Sequence, residues 1–255
     1  MTGTILGNPD SSDRTLDSAE VDRFGKLAAK WWDPAGAFRP LHALGPARLA
    51  FVRREVMRHF SRPDRGLRPF AGLTMLDVGC GGGLITEPLA RLGGQATGLD
   101  PAADNVAAAR AHAAAQGLAV EYRAGRLEEL ADAAARFDVV VCLEVLEHVP
   151  DPEAFVRLLG DVTAPGGLVV LSTINRTPAA YALAIVGAEQ VLRWLPPGTH
   201  QWDRFITPDE LARFCADAGL VPGPAQGLVY DALRGEWRLG GNTGINYLLA
   251  AARVA

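Results

Sequence analysis

Three observations predict an α/β fold in which a mostly parallel sheet carries helices on both faces. Short apolar runs alternate with amphipathic or alanine-rich stretches along most of the 255 residues, the pattern of repeated βαβ units. Met75-Leu76-Asp77-Val78 runs into Gly79-Cys80-Gly81-Gly82-Gly83, and a helical pattern follows from Leu84 to Leu92; this is how a parallel strand presents its end to a ligand. Phe137 to Cys142 is apolar but for Asp138, as suits a strand covered on both faces.

Composition agrees. Apolar residues make up 49% of the chain, enough for one large domain with additions and too little length for two. A net charge of -4 provides no broad cationic surface, so nucleic acid is a disfavoured partner. Cys80, Cys142 and Cys215 are far apart and odd in number, which argues against a disulfide framework and for a reducing compartment. No apolar signal segment opens the chain, so a cytoplasmic location is expected.

The elements follow in order. Residues 1–17 are polar and turn-rich and are expected to form a loose arm. With Asp17 or Ser18 as N-cap, Val21, Phe24, Leu27, Ala28 and Trp31 recur at helical spacing and predict a helix ending near Trp32-Asp33-Pro34. Adjacent Trp31 and Trp32 cannot share one helix face, so one is free to cover a ligand unless both simply pack. Gly36 to His42 reads as a loop, and Pro46 as the start of a helix through Arg48, Phe51, Val52 and Met57. Residues 18–70 thus make a helical extension expected to act as a lid, and residues 71–255 the sheet domain. Arg48 reads either as a solvated helix position or as a guanidinium for a carboxylate.

Strands are predicted at Met75 to Val78, Gln95 to Asp100, Ala119 to Arg123, Phe137 to Cys142, Leu168 to Thr173, Gly227 to Ala232 and Ile245 to Ala251, seven in all. Pro165-Gly166-Gly167 should turn the chain before the fifth. Thr207-Pro208-Asp209-Glu210 is a capping box with Pro at the first helical position. Between these, about 175–205 is an unusually apolar insertion, too short and too interrupted to span a bilayer. It suits the interface of a bilayer or a buried helix.

The candidate site gathers at the strand ends. The nicotinamide fingerprint needs a third glycine where Leu84 stands, so dinucleotide binding is demoted. Asp77, Gly79 and Gly81 remain as cofactor contacts, since glycine lets a ligand approach the backbone. Asp100 ends the second strand about 20 residues on, where such sheets hold a ribose diol; it could equally cap the helix that follows. Leu127, after the third strand, is expected beside the cofactor's base, and an ordinary buried leucine fits equally well there. Glu144, Glu147 and His148 stand at i, i+3 and i+4 and would converge on one helical turn. Two carboxylates and an imidazole suit a divalent ion, Mg2+ or zinc; a helix-capping acid cluster is the other reading.

The runs FGKLAAKWWDPAGAFRPLHALGPARL, LDVGCGGG, TGLD, CLEVLEHVPDP, STINRT, VGAEQVLRWLPPGTHQWDRFITPDEL and INY resemble the ubiquinone-biosynthesis O-methyltransferases, Rossmann-like class I enzymes dependent on S-adenosyl-L-methionine. The similarity covers about Phe24 to Tyr247. It implies methylation of catechol-type hydroxyls on polyprenylated quinol precursors, peripheral contact with the inner membrane, and room for assembly with other enzymes of the pathway. It also implies that Arg48, Gly79, Asp100 and Leu143 contact the cofactor, and that Glu144, Glu147 and His148 match the positions of magnesium ligands in eukaryotic relatives. Leu143 stands where a methionine is common, and Gly244 where an acid precedes the terminal INY. A phenol of pKa about 10 needs a base or a metal to become a nucleophile. Glu144, Glu147 and His148 acting through a bound ion are the first expectation, and His148 or His200 acting alone as base the second. A methyltransferase for another small acceptor and a silent lipid-binding subunit are the rival readings.

Overall fold

A computed structural model describes residues 15–63, 66–182, 201–231 and 233–255. Helix α1 spans Ser18–Gly25, and the Asp17 carboxylate caps it by accepting from the Ala19 amide at 3.1 Å and the Glu20 amide at 3.4 Å. The helix expected to reach Trp32 stops at Gly25, whose backbone freedom weakens a helix interior. A 3-10 turn at Ala28–Lys30 follows, and it swings the two tryptophans out of helical register. Helix α2 spans Arg39–His59 with Pro40 in its first turn and Pro46 inside it. The loop expected at 36–42 is therefore partly helix. Pro40 is a sound first-turn residue, and the hydrogen bond that Pro46 forgoes is outweighed by burial of Phe51, Val52 and Val56.

The sheet domain runs β1 Thr74–Val78, α3 Thr86–Arg91, β2 Gln95–Asp100, α4 Ala103–Ala115, β3 Glu121–Ala124, α5 Leu127–Asp132, β4 Phe137–Leu143, α6 Pro152–Val162, β5 Thr163–Ile174 and a single turn α7 Pro178–Ala180. After the insertion come α8 Pro208–Asp217, β6 Leu220–Pro222, β7 Gln226–Asp231, β8 Glu236–Gly240 and β9 Asn246–Arg253. The sheet order is β3-β2-β1-β4-β5-β9-β7-β8, with β6 beside β9. β1 to β5 pair in parallel, and β9, β7, β8 and β6 join antiparallel. The sheet is mostly as predicted but has nine strands among the described residues. β6 is three residues long, below what a pattern can declare, and β8 is a brief edge strand. Residues 165–167 lie within β5, where the pairing with β4 shifts register.

Alternation along β4 and β5 explains their continuous apolar sequence. Val140, Cys142, Val169 and Leu171 face a core shared with Phe155, Val156 and Leu159 of α6 and Leu211 of α8. Val139, Val141, Leu168 and Val170 face the opposite core with Phe51, Val52 and Val56 of α2 and Leu89 of α3. Successive strand residues point to opposite faces, so both must be apolar when both faces are covered. β1 lies between β2 and β4, which makes its C-terminal end the point where strand order reverses and a crevice opens. Among the described residues, no helix is long and apolar enough to cross a membrane.

Candidate active site

A cavity of about 240 Å³ occupies that crevice. Its floor is the glycine loop after β1. Gly79 and Gly81 have φ of +72° and +52°, and a Cβ on either would fall 2.4 Å from Val145 or Trp31. Only glycine fits that backbone and that spacing. Above the loop, the Trp31 ring stacks on Phe38 with centroids 3.6 Å apart, and the Trp32 indole N–H donates to the Gly82 carbonyl at 2.9 Å. The Trp32 ring stacks on His112 with centroids 3.5 Å apart. Both tryptophans therefore bind the glycine loop to the N-terminal segment.

Asp100 ends β2 buried, and the N-cap of α4 is Ala102 rather than Asp100. Oδ1 accepts from the Ala102 amide at 2.9 Å and from Asn105 Nδ2 at 3.1 Å, and Oδ2 accepts from the Gly81 amide at 2.9 Å. Burial raises its pKa, and the three hydrogen bonds oppose that rise. Asp77 lies beneath the loop, accepting from the Thr86 hydroxyl at 2.6 Å. Burial, aided by the Asp100 charge and opposed by Thr86, pushes its pKa to about 7. Leu127, buried at the head of α5, and Leu143, at the end of β4, line the same cavity.

Arg48 reaches the cavity from α2 with 3% of its surface exposed. Its Nη2 stands 3.1 Å from Glu144 Oε1, outside hydrogen-bonding direction, and neither Nη2 nor Nε has a hydrogen-bond partner. Buried guanidinium donors without acceptors are costly, and they suit a carboxylate brought by a ligand. The solvated-face reading of Arg48 is thereby overturned.

Glu144 has a left-handed backbone, φ +56°, and its carboxylate is occupied by the protein. Oε1 accepts from the Ser172 hydroxyl at 2.7 Å and Oε2 from Asn246 Nδ2 at 3.0 Å. Glu147 is 4% exposed, and its Oε2 accepts from the Thr173 hydroxyl at 2.7 Å. Burial first, then the Glu144 charge, raises its pKa to about 7 against the effects of His148 and Thr173. His148 turns toward α1, with Nδ1 3.1 Å from Glu20 Oε2 and its ring edge-on to Phe24 at 5.4 Å. Burial would lower the His148 pKa, but the Glu20 hydrogen bond and the charges of Glu147 and Glu20 raise it overall.

The metal reading of these three residues does not fit. Among the described residues, no three of His, Cys, Asp and Glu form a group that could hold a metal ion. The only helical turn here is a 3-10 turn at Leu146–His148, and Glu144 lies before it with a left-handed backbone, so the three residues do not share the α-helical turn that the spacing predicts. Glu144 already holds polar partners and faces a guanidinium, whose charge would repel a dication. His200 and most of the apolar insertion lie outside the described residues.

Sequence reasoning missed Glu20 and Asn105. Glu20 stands three residues after the Asp17 cap, where an acid reads as a capping partner. Asn105 sits inside an alanine-rich helix with no motif around it. Only the chain's folding brings them to the cavity.

Comparison with known proteins agrees with this geometry. Residues 47–222 match the family described as a methyltransferase domain. A ubiquinone biosynthesis O-methyltransferase of Azorhizobium caulinodans is 53% identical over 94% of each chain, and one from Ruegeria pomeroyi is 48% identical over 94% of this chain and 97% of its own. Among solved structures, the magnesium protoporphyrin IX methyltransferase of Synechocystis with bound S-adenosylmethionine is 18% identical and superposes with a TM-score of 0.62. It covers 97% of this chain and 100% of its own.

Proposed function

The chain belongs to the ubiquinone biosynthesis O-methyltransferases, and from that premise we propose that His148, held by Glu20, is the base that prepares the acceptor hydroxyl. The overall reaction is S-adenosylmethionine-dependent O-methylation of a quinol-type precursor in ubiquinone biosynthesis. When bound, the cofactor supplies a methyl group on a sulfonium, an electrophile that needs positioning more than covalent help from the protein. Gly79 and Gly81 offer backbone to it, Asp100 a carboxylate to its sugar, and Leu127 and Leu143 an apolar wall. The unpartnered donors of Arg48 suit its carboxylate, and Asp77 supports the loop from below.

The observation that carries the mechanism is the Glu20–His148 pair in the cavity wall. A carboxylate on Nδ1 fixes the ring and favours the imidazolium that forms when the other nitrogen takes the phenolic proton. Glu144 is then a support that orients Arg48, and Glu147 a buried acid beside the base. His148→Ala is expected to lower single-turnover methyl transfer to a short-tailed catechol by about 10²–10⁴-fold, in chelator-treated protein as in untreated. Full turnover of His148→Ala would remove the base assignment, and loss of wild-type turnover with chelator would restore a metal.

Two finer assignments belong to the same reading. A polyprenylated acceptor resides in a bilayer, which supports a peripheral association of this otherwise cytoplasmic protein with the inner membrane through residues 175–205, and assembly there with other enzymes of the pathway. Liposome co-sedimentation before and after deletion of 179–194, in protein shown to remain folded, tests the membrane contact.

A further inference from the structure

Asn105 uses both ends of its side-chain amide inside the protein. Its Oδ1 accepts from the Trp31 indole N–H at 2.8 Å, and its Nδ2 donates to Asp100 Oδ1 at 3.1 Å. The residue is 2% exposed and Trp31 is 7% exposed, so neither bond competes freely with water. One bond needs the amide oxygen and the other the amide nitrogen, which fixes the amide's orientation.

From this chain we infer that Asn105 is a positioning residue that couples seating of the N-terminal segment to the grip of Asp100 on the cofactor's sugar. The inference rests on the methyl-donor reading above. A carboxylate offers about four acceptor positions. Ala102 and Asn105 fill those of Oδ1, and Gly81 takes one on Oδ2. The position left for a ribose hydroxyl is therefore on Oδ2. Without Asn105, one acceptor position on Oδ1 would open to compete for the sugar, and only the Ala102 and Gly81 amides would orient the carboxylate.

The same amide holds the segment that covers the cavity. Trp31 packs over Gly81 and Gly82, and α1, a few residues earlier, has no buried residue of its own. That segment also brings Glu20 to His148. A ligand that orders Asp100 thus favours the seated segment, and by linkage the seated segment favours the ligand to the same degree. Loading the methyl donor thus promotes completion of the site where the acceptor reacts.

Calorimetry with S-adenosylmethionine and S-adenosylhomocysteine, paired with hydrogen exchange of α1 amides, tests the coupling. Trp31→Phe keeps an aromatic ring but removes the N–H together with the part of the indole that packs over Gly81; Asn105→Ala removes both bonds and leaves the indole whole. Each is expected to weaken both ligands by about 3- to 10-fold, with the double variant weakened by clearly less than the product of the two single losses. The KM for the methyl donor should rise more than kcat falls, and product-induced protection of α1 should be present in wild type and lost in both variants. Trp31→Phe affinities within twofold of wild type, additive losses, or unchanged α1 protection would overturn the relay. Wild-type protein that bound neither ligand would instead overturn the methyl-donor reading, and the relay with it.

Discussion

At Glu144 the chain accepts a left-handed backbone that glycine would adopt more cheaply, at a cost of about 1–3 kcal/mol for a non-glycine residue. The side chain explains why: it ties Ser172 and Asn246 together and faces Arg48. Glu144→Ala is expected to release Arg48 and raise the KM for the methyl donor several-fold, measurable in steady-state assays. Gly81→Ala meets both a positive φ and the Trp31 ring; cofactor heat in calorimetry should disappear while the far-ultraviolet spectrum stays. Asp77 gives a pH test. Its pKa in the folded chain, about 7, lies above the ordinary value of 3.8, so the folded state holds that proton more tightly. Its contribution to stability is full below about pH 4 and is lost as pH rises toward 7. Asp77→Asn should therefore reduce the fall in urea midpoint between pH 5 and pH 8.

Helices differ in what a lost cap does. Thr207 caps α8 by accepting from the Glu210 amide, and α8 buries Leu211 and Cys215 against the core. Thr207→Ala should lower global stability by about 1 kcal/mol, read from denaturant unfolding. Asp17 caps α1 and also meets Arg204 at 3.2 Å, but no residue of α1 is fully buried. Asp17→Ala is expected to leave the global unfolding midpoint nearly unchanged while α1 amides exchange faster and kcat falls, because Glu20 then holds His148 less often. Among the described α-helices, the one with no fully buried residue is the one that brings Glu20 to the cavity.

For the molecule as a whole, stability and chemistry occupy separate parts of the sheet. Leu159 is fully buried in the core between α6 and the sheet, away from the cavity. Leu159→Ala should lower stability by about 2–5 kcal/mol with kcat and KM unchanged in the protein that remains folded. The strand ends, in contrast, carry buried polar groups, Asp77, Asp100 and Glu147 each held by hydrogen bonds from the protein.

What the sequence determined by itself was local and periodic. Apolar runs of strand length, glycines after β1, an acid ending β2 and the capping signals at Asp17 and Thr207 are short-range patterns, and each places an element or a loop without reference to the rest. The glycine loop, Asp100, Leu127, Leu143 and Arg48, which the fold brings to one cavity, could be singled out in the sequence because they lie at such landmarks or in resembling motifs. Tertiary structure alone decided what the polar side chains face. Glu144, Glu147 and His148, adjacent in the chain, part company because β5, β9 and α1 each offer a different partner: Ser172 and Asn246, Thr173, and Glu20. Asn105 and Trp31 meet across 74 positions of sequence. Hydrogen bonds between distant residues follow from packing, and packing is set by the whole core rather than by any window of sequence.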